Sequence, residues 1–347
     1  MPEAVTGSRS MNSTTFTHFS RGSAPAWNRW ISAAVRAFGA WPRAGTTKAF
    51  GSHSPTGCGT AITAASATNS LPSRDRSSSS GGALYIRNLP QDAHLPPTPR
   101  DGFPSRRKST FISERTLLGL SGLLGEPVGF LTEKNGQVVH DIVPVKEGAT
   151  TQTNQGSAVF LNFHNDIVHD RTGYYDIANP DFLVLICLRA DRAQAATTYY
   201  ADARDICRMV GPDANRVLRS PLFRMNAPGS YIRDVAGDED VLSDPAPMIK
   251  GPVGFPEISS AANGVHALSP VAETALALLQ TACRAVAHEF RLRPGHALLI
   301  NNRKGLHARS RFIGHYDGQD RWLQRTYVRR SQWQIRYRAV PGTRRIH

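Results

Sequence analysis

Cysteine is scarce in this chain. There are four in 347 residues, at positions 58, 187, 207 and 283, and no two form a CxxC pair. That argues against a disulfide framework and a cysteine-built zinc site, and it points to a reducing compartment, so a cytoplasmic location is expected. Long apolar runs are also missing: nothing approaches the roughly 20 residues of a membrane-spanning helix, so no membrane partner is expected. Acids are nearly absent from the first 81 residues, where Glu3 and Asp75 stand against eight Arg or Lys. The net charge of +14 thus concentrates at the two ends. No zinc-finger, RNA-recognition or helix-turn-helix pattern accompanies it, so no nucleic-acid partner is expected. A hydrophobic content of 40% is enough for a substantial core.

Residues 1–81 are rich in Ser, Thr, Gly and Ala and end in the low-complexity SSSSGG. Within them, AWNRWISAAVRAFGAW repeats its apolar residues at helical spacing. The Arg- and Ser-rich, acid-poor composition also suits an organelle transit peptide. A disordered leader, a targeting segment, or sequence outside the natural protein all remain open, and the expectation is mostly disorder. Globular character starts near Ala83. The expected domain covers residues 82–330, with a helical insert around 269–290 and a basic tail over 331–347. Arg329 and Arg330 are expected in solvent.

Short strand-like segments dominate the second half. SAVFLNFHND alternates, with Val159, Leu161 and Phe163 on one face and Phe160, Asn162, His164 and Asp166 on the other. DFLVLICLRA is continuously apolar, as in a strand buried on both faces. ERTLLGLSGLL and the stretch from Ser269 to Phe290 read as amphipathic helices. Strands flank YDGQD, whose Asp-Gly is a turn signal. The fold class expected is mainly β with appended helices: an antiparallel sandwich or barrel.

Two stretches carry chemistry. In NFHNDIVHD, His164 and Asp166 stand two apart on a strand, so both leave one face. A third ligand from a facing strand would complete a 2-His-1-carboxylate triad, which holds Fe(II) and leaves other positions open. A pair of surface residues at a strand end fits the same two letters, and both readings stay open on this motif alone. In LHARSRFIGHYDGQDRWLQRTYVRR, His307 follows an apolar strand, and Arg321 and Arg325 alternate with Leu323 and Tyr327 on a core-like strand. Guanidinium groups on such a strand need anions, and a carboxylate matches their fork; pairing with a protein Asp or Glu, or an exposed edge strand, fits the same residues.

The second stretch resembles the C-terminal motif of the clavaminate synthase-like iron(II)/2-oxoglutarate oxygenases, within the taurine dioxygenase superfamily, a group that includes asparagine and arginine hydroxylases. LYIRNLPQDAHLPPTP, GEPVGF, IVPV, FHND and PDFLVLICLRADRAQAATT resemble the family in the same order, covering roughly 83–330. The resemblance implies a double-stranded β-helix (jelly-roll) core. It implies His164, Asp166 and His307 as iron ligands, Thr197 and Arg321 as contacts to 2-oxoglutarate, and Arg325 as the contact to a substrate carboxylate. Asn154, Ser157 and His169 are weaker candidates for substrate contacts.

The implied reaction is O2-dependent hydroxylation of an unactivated C–H in a free or carrier-bound amino acid, with Fe(II) and 2-oxoglutarate as cofactor and cosubstrate. Close relatives place Glu where Asp166 stands, which leaves the substrate open. The rivals are a taurine dioxygenase-type enzyme acting on another small anion and a non-catalytic jelly-roll binding protein.

Overall fold

The computed structural model describes residues 62–63, 82–166, 179–226, 242–262 and 264–347. The remainder of the leader, His169 and most of the loop that follows Asp166 lie outside the described residues.

Two antiparallel sheets face each other. The larger runs β2 (Ala83–Ile86), β13 (Ala297–Asn301), β6 (Phe182–Arg189), β15 (Trp322–Arg329), β3 (Glu126–Phe130) and β16 (Arg345–Ile346). β1 (Ile62–Thr63) lies outside β2, and β4 (His140–Ile142) pairs with β15. The smaller sheet runs β12 (His288–Phe290), β7 (Thr198–Asp202), β14 (Gly305–Arg309) and β5 (Leu161–His164). Two short ribbons lie apart from these sheets: β8 (Phe223–Met225) with β11 (Val265–Ala267), and β9 (Ile249–Lys250) with β10 (Glu257–Ile258). This is the jelly-roll sandwich expected.

The core is layered because alternate strand residues face opposite ways. On β6, Leu183, Leu185 and Cys187 point into the sandwich and meet Tyr200, Leu298, Leu323 and Tyr327. Phe182, Val184, Ile186 and Leu188 point outward, against helix α1 (Ile112–Gly122) through Leu117 and Leu120. The outer face of the smaller sheet, including Ala201 and Leu306, is covered by α2 (Ala203–Leu218) and α3 (Pro270–Val286).

Helix α1 begins without a cap of its own. Asp92, twenty residues earlier, accepts the backbone N–H of Ile112 at 3.0 Å and of Ser113 at 3.1 Å, and it pairs with Lys108 at 2.8 Å. Helix α3 has Ser269 as its N-cap and Pro270 at its first position, the favoured arrangement. Helix α2 is broken at Gly211, whose φ is +80°, just before Pro212. That interruption hides its periodicity in the sequence.

Four sequence expectations change. First, β14 and β15 do not form a hairpin about YDGQD. Asp317-Gly318 does turn, with Gly318 at φ +88°, but residues 310–321 cross from one sheet to the other. Second, β5 does not alternate simply. His307 lies opposite His164 and Arg309 opposite Leu161, so three steps along β5 match two along β14. This bulge puts Leu161 and His164 on the same side and leaves Asn162 exposed. Third, Arg329 is 1% exposed rather than in solvent, with Nη1 donating to the Asn179 carbonyl and Nε 3.7 Å from Asp181. Fourth, the segment 331–347, read as a tail, ends in β16, which pairs in parallel with β3 and buries Ile346.

Candidate active site

The fold brings the three predicted ligands to one point inside the sandwich. His164 ends β5 and His307 sits across from it on β14; their ring centres are 4.2 Å apart. Asp166 Oδ1 lies 3.3 Å from His164 Nε2 and 3.6 Å from His307 Nε2. One ligand atom from each residue falls within 4.8 Å of the others.

Local structure fixes this arrangement. His164 Nδ1–H donates to the Asn162 carbonyl at 2.7 Å, which leaves the lone pair of Nε2 free for a metal. Asp166 is anchored through its backbone. Its N–H donates to Asn302 Oδ1 at 3.1 Å, and Asn302 Nδ2 donates back to its carbonyl at 2.9 Å. The preceding Asn165 donates to the carbonyls of Asn302 and Gly305 and accepts the N–H of Ser260 at 2.9 Å. The two asparagines therefore lock the end of β5 to the β13–β14 turn, which also carries His307's strand.

Electrostatics favour the metal-binding forms. Burial alone would raise the Asp166 carboxyl, but Arg325 and the two imidazoles outweigh it and hold it well below the usual carboxylate range. Burial and the neighbouring His164 push His307 down, keeping it neutral. Two imidazoles and one carboxylate, with no fourth His, Cys, Asp or Glu ligand among the described residues, fit an octahedral ion with open positions.

Arg325 reaches the triad from the larger sheet. Its Nη1 donates to Asp166 Oδ2 at 2.7 Å and its Nη2 to Glu133 Oε1 at 2.7 Å. Glu133 also accepts Tyr327 Oη at 2.6 Å, and His140 stands 3.1 Å from Arg325 Nη2. Burial would raise the Glu133 carboxyl, but Arg325 and His140 outweigh it and keep it low.

Arg321 lies just ahead of β15, where a bulge between Trp322 and Leu323 re-aims the chain. It is 5% exposed and has no carboxylate partner among the described residues. Burial pulls its guanidinium below its ordinary value, partly offset by Cys187 and Asp191. A buried guanidinium without an anion suits a carboxylate ligand.

The weaker candidates separate. Thr197 is buried, its hydroxyl donating to Ala195 at 3.1 Å and its N–H to Ser310 Oγ at 2.9 Å. Ser157 is buried 3.2 Å from the Tyr316 hydroxyl, and its carbonyl accepts Phe312 N–H at 2.8 Å. Asn154 is half-buried with no hydrogen bond to the triad residues. Sequence reasoning missed Glu133, Asn302, His140 and Arg309. Glu133 sits in LTEKNG, which reads as a solvated turn. Arg309 could have been found, since it stands two residues after His307 on one strand.

A jelly roll that aims two imidazoles, one carboxylate and buried arginines into its interior defines a non-haem iron oxygenase that uses a 2-oxo acid. Residues 101–327 match the family described as taurine catabolism dioxygenase TauD, TfdA family, and the chain belongs to that family of iron(II)- and 2-oxoglutarate-dependent oxygenases. It is 34% identical over 301 residues to an L-asparagine oxygenase of Streptomyces coelicolor, spanning 86% of this chain and 80% of that one. An L-lysine 3-hydroxylase of Catenulispora acidiphila is 31% identical over 71% of this chain and 67% of its own. Among solved structures, asparagine oxygenase in complex with Fe(II), 3-hydroxyasparagine and succinate superimposes with a TM-score of 0.69. It is 33% identical and covers 76% of this chain and 79% of its own. The non-haem iron oxygenase OrfP with iron and alpha-ketoglutaric acid gives a TM-score of 0.63 at 25% identity, over 77% of this chain and 81% of its own.

Proposed function

We propose that this oxygenase hydroxylates an unactivated C–H of a free amino acid. The observation that carries the substrate class is the buried pair of Arg325 and Glu133 beside Asp166. An amino acid brings a carboxylate and an ammonium on one carbon. A guanidinium next to a carboxylate offers the complementary pair of charges at the same spacing. Arg325 would take the substrate carboxylate and Glu133 its ammonium, placing the side chain over the triad. Nε–H of Arg325 is buried without a partner among the described residues, so a donor is already available there.

Held by His164, Asp166 and His307, iron with 2-oxoglutarate supplies the oxidising chemistry. The remaining work belongs to the chain. Arg321 and Thr197 hold the far carboxylate of 2-oxoglutarate. Arg325 keeps Asp166 ionised. The apolar interior around Leu323 and Tyr327 excludes water, which protects a reactive centre from side reactions. The relatives named above act on asparagine and lysine, which supports a small amino acid as substrate. Asn154, Ser157 and His169 are the remaining candidates for contacts to its side chain.

The test is succinate formation from 2-oxoglutarate with Fe(II), run across a panel of amino acids that includes asparagine, lysine and arginine, with His164→Ala and Arg321→Ala as controls. Stimulation by at least one amino acid is expected. A panel in which none raises turnover above the substrate-free rate would remove the amino-acid assignment.

A further inference from the structure

Arg309 is a third buried guanidinium in the interior, and neither the triad nor the substrate pair uses it. It is 6% exposed, and both Nη1 and Nη2 are buried without a hydrogen-bond partner among the described residues. Burying an unmatched cation is among the costliest arrangements in a protein. Orphaned buried donors of this kind are kept where something outside the chain completes them.

Its place on the strand says what that would be. Arg309 follows His307 by two residues on β14, so both side chains leave the inner face of the smaller sheet. Opposite it on β7 is Thr198, and the neighbouring Thr197 is bonded to Ser310. Arg321 arrives from the other sheet, and the two guanidiniums share one wall: their Cζ atoms lie 5.0 Å and 5.5 Å from the centre of the Phe312 ring. No carboxylate of the described residues forms an ion pair with either. Two cations thus meet at one aromatic ring beside a buried threonine, along one strand from the metal ligand His307, and the nearby Asp191 carboxylate forms no ion pair with either.

We infer that Arg309 is a second anchor for the distal carboxylate of 2-oxoglutarate, sharing it with Arg321. This rests on the reading of the site as one that binds 2-oxoglutarate. A carboxylate has two oxygens with about four lone-pair sites, enough to accept from both guanidiniums. Two guanidiniums at that end would select a dicarboxylate, since a 2-oxo acid with an apolar tail would leave both cations unmatched.

The experiment is anaerobic calorimetric titration of 2-oxoglutarate into the full-length protein loaded with Mn(II), with Mn(II) binding and apo-protein melting measured alongside. Arg309→Met is expected to weaken 2-oxoglutarate binding by at least about tenfold. It should leave Mn(II) affinity within about twofold and hold or raise the apo melting temperature, because an uncompensated buried cation is gone. Unchanged 2-oxoglutarate affinity overturns the assignment, and so does a loss that falls equally on Mn(II), the mark of a merely structural role. Should Arg309→Met fail to fold, Arg309→Lys keeps the charge without the fork. Its 2-oxoglutarate affinity is expected to fall about threefold or more, and wild-type affinity overturns the assignment. Failure of the wild-type Mn(II) form to bind 2-oxoglutarate would sink the underlying reading of the site. Normal wild-type binding with unaltered variants sinks only the role of Arg309.

Discussion

Replacing Arg325 by Met should show how much of the apo protein's stability depends on one guanidinium. Arg325 neutralises two buried carboxylates, Asp166 and Glu133, through contacts of 2.7 Å each, with side-chain exposures of 7%, 10% and 12% for Arg325, Asp166 and Glu133. Met fills similar volume but leaves both acids without their cation. Breaking a buried ion pair by removing one partner costs about 3–5 kcal/mol. The cost per acid has a ceiling, because an unpaired carboxylate can take up a proton. At pH 7 that costs about 4 kcal/mol for an acid of ordinary pKa near 3.9. At roughly 2–4 °C per kcal/mol for a domain of this size, the melting temperature in the presence of a chelator should fall by about 6–20 °C. Two further measurements separate charge from packing. Excess Mn(II) should raise the melting temperature more in the variant than in the wild type, because the ion takes over the charge of Asp166. Adding Glu133→Gln should recover part of the loss, giving a coupling energy between the two positions. A variant that melts within about 2 °C of wild type under chelation, or gains nothing from either addition, would show that this network does not hold the site together.

Asn302→Ala removes the side chain that grips both backbone groups of Asp166; Mn(II) affinity, followed by calorimetry, should fall about 10–100-fold as with other groups that orient a ligand. His140 is fully buried against Arg325, Glu133 and Lys134, and burial first, then the nearby cations, push its pKa down to about 4 from 6.5. The folded state therefore resists protonation. This contribution is whole above about pH 6.5 and lost as pH falls towards 4, on the order of 3 kcal/mol; denaturant titrations of His140→Gln at pH 7 and 4.5 should show a flatter pH dependence than wild type, and equal slopes would refute it. Asp92→Ala removes the remote cap of α1 and leaves Lys108 with Glu114 as its one carboxylate partner, so thermal melting should report a loss of about 1–2 kcal/mol with the site's metal affinity unchanged.

The residues that carry chemistry were legible because chemistry restricts residue type. His164 and Asp166 two apart, with His307 fourteen residues ahead of Arg321, survive as a pattern whatever the surrounding core. The apolar run of β6 was legible for a related reason: both its faces are buried, so every position is constrained. The path between His307 and Arg321 was not, because Asp-Gly signals a turn and says nothing about whether the flanking strands pair. The bulge in β5 left no mark, since one extra residue in a strand changes facing without changing composition. Glu133 was hidden for the opposite reason: its neighbours Lys134, Asn135 and Gly136 have the composition of a solvated turn, and only packing against Arg325 and Tyr327 brings its carboxylate inside.

The metal ligands belong to one sheet and Arg321 leads into a strand of the other, so their separation is set by the side chains stacked between the layers. If Arg321 holds the far carboxylate as proposed, Tyr200, Leu185, Cys187 and Leu323 of the core between the layers serve as shims whose thickness sets how far it stands from the metal. Trimming one of them, with no contact to either end of the oxo acid, should change cosubstrate preference before it changes the chemistry.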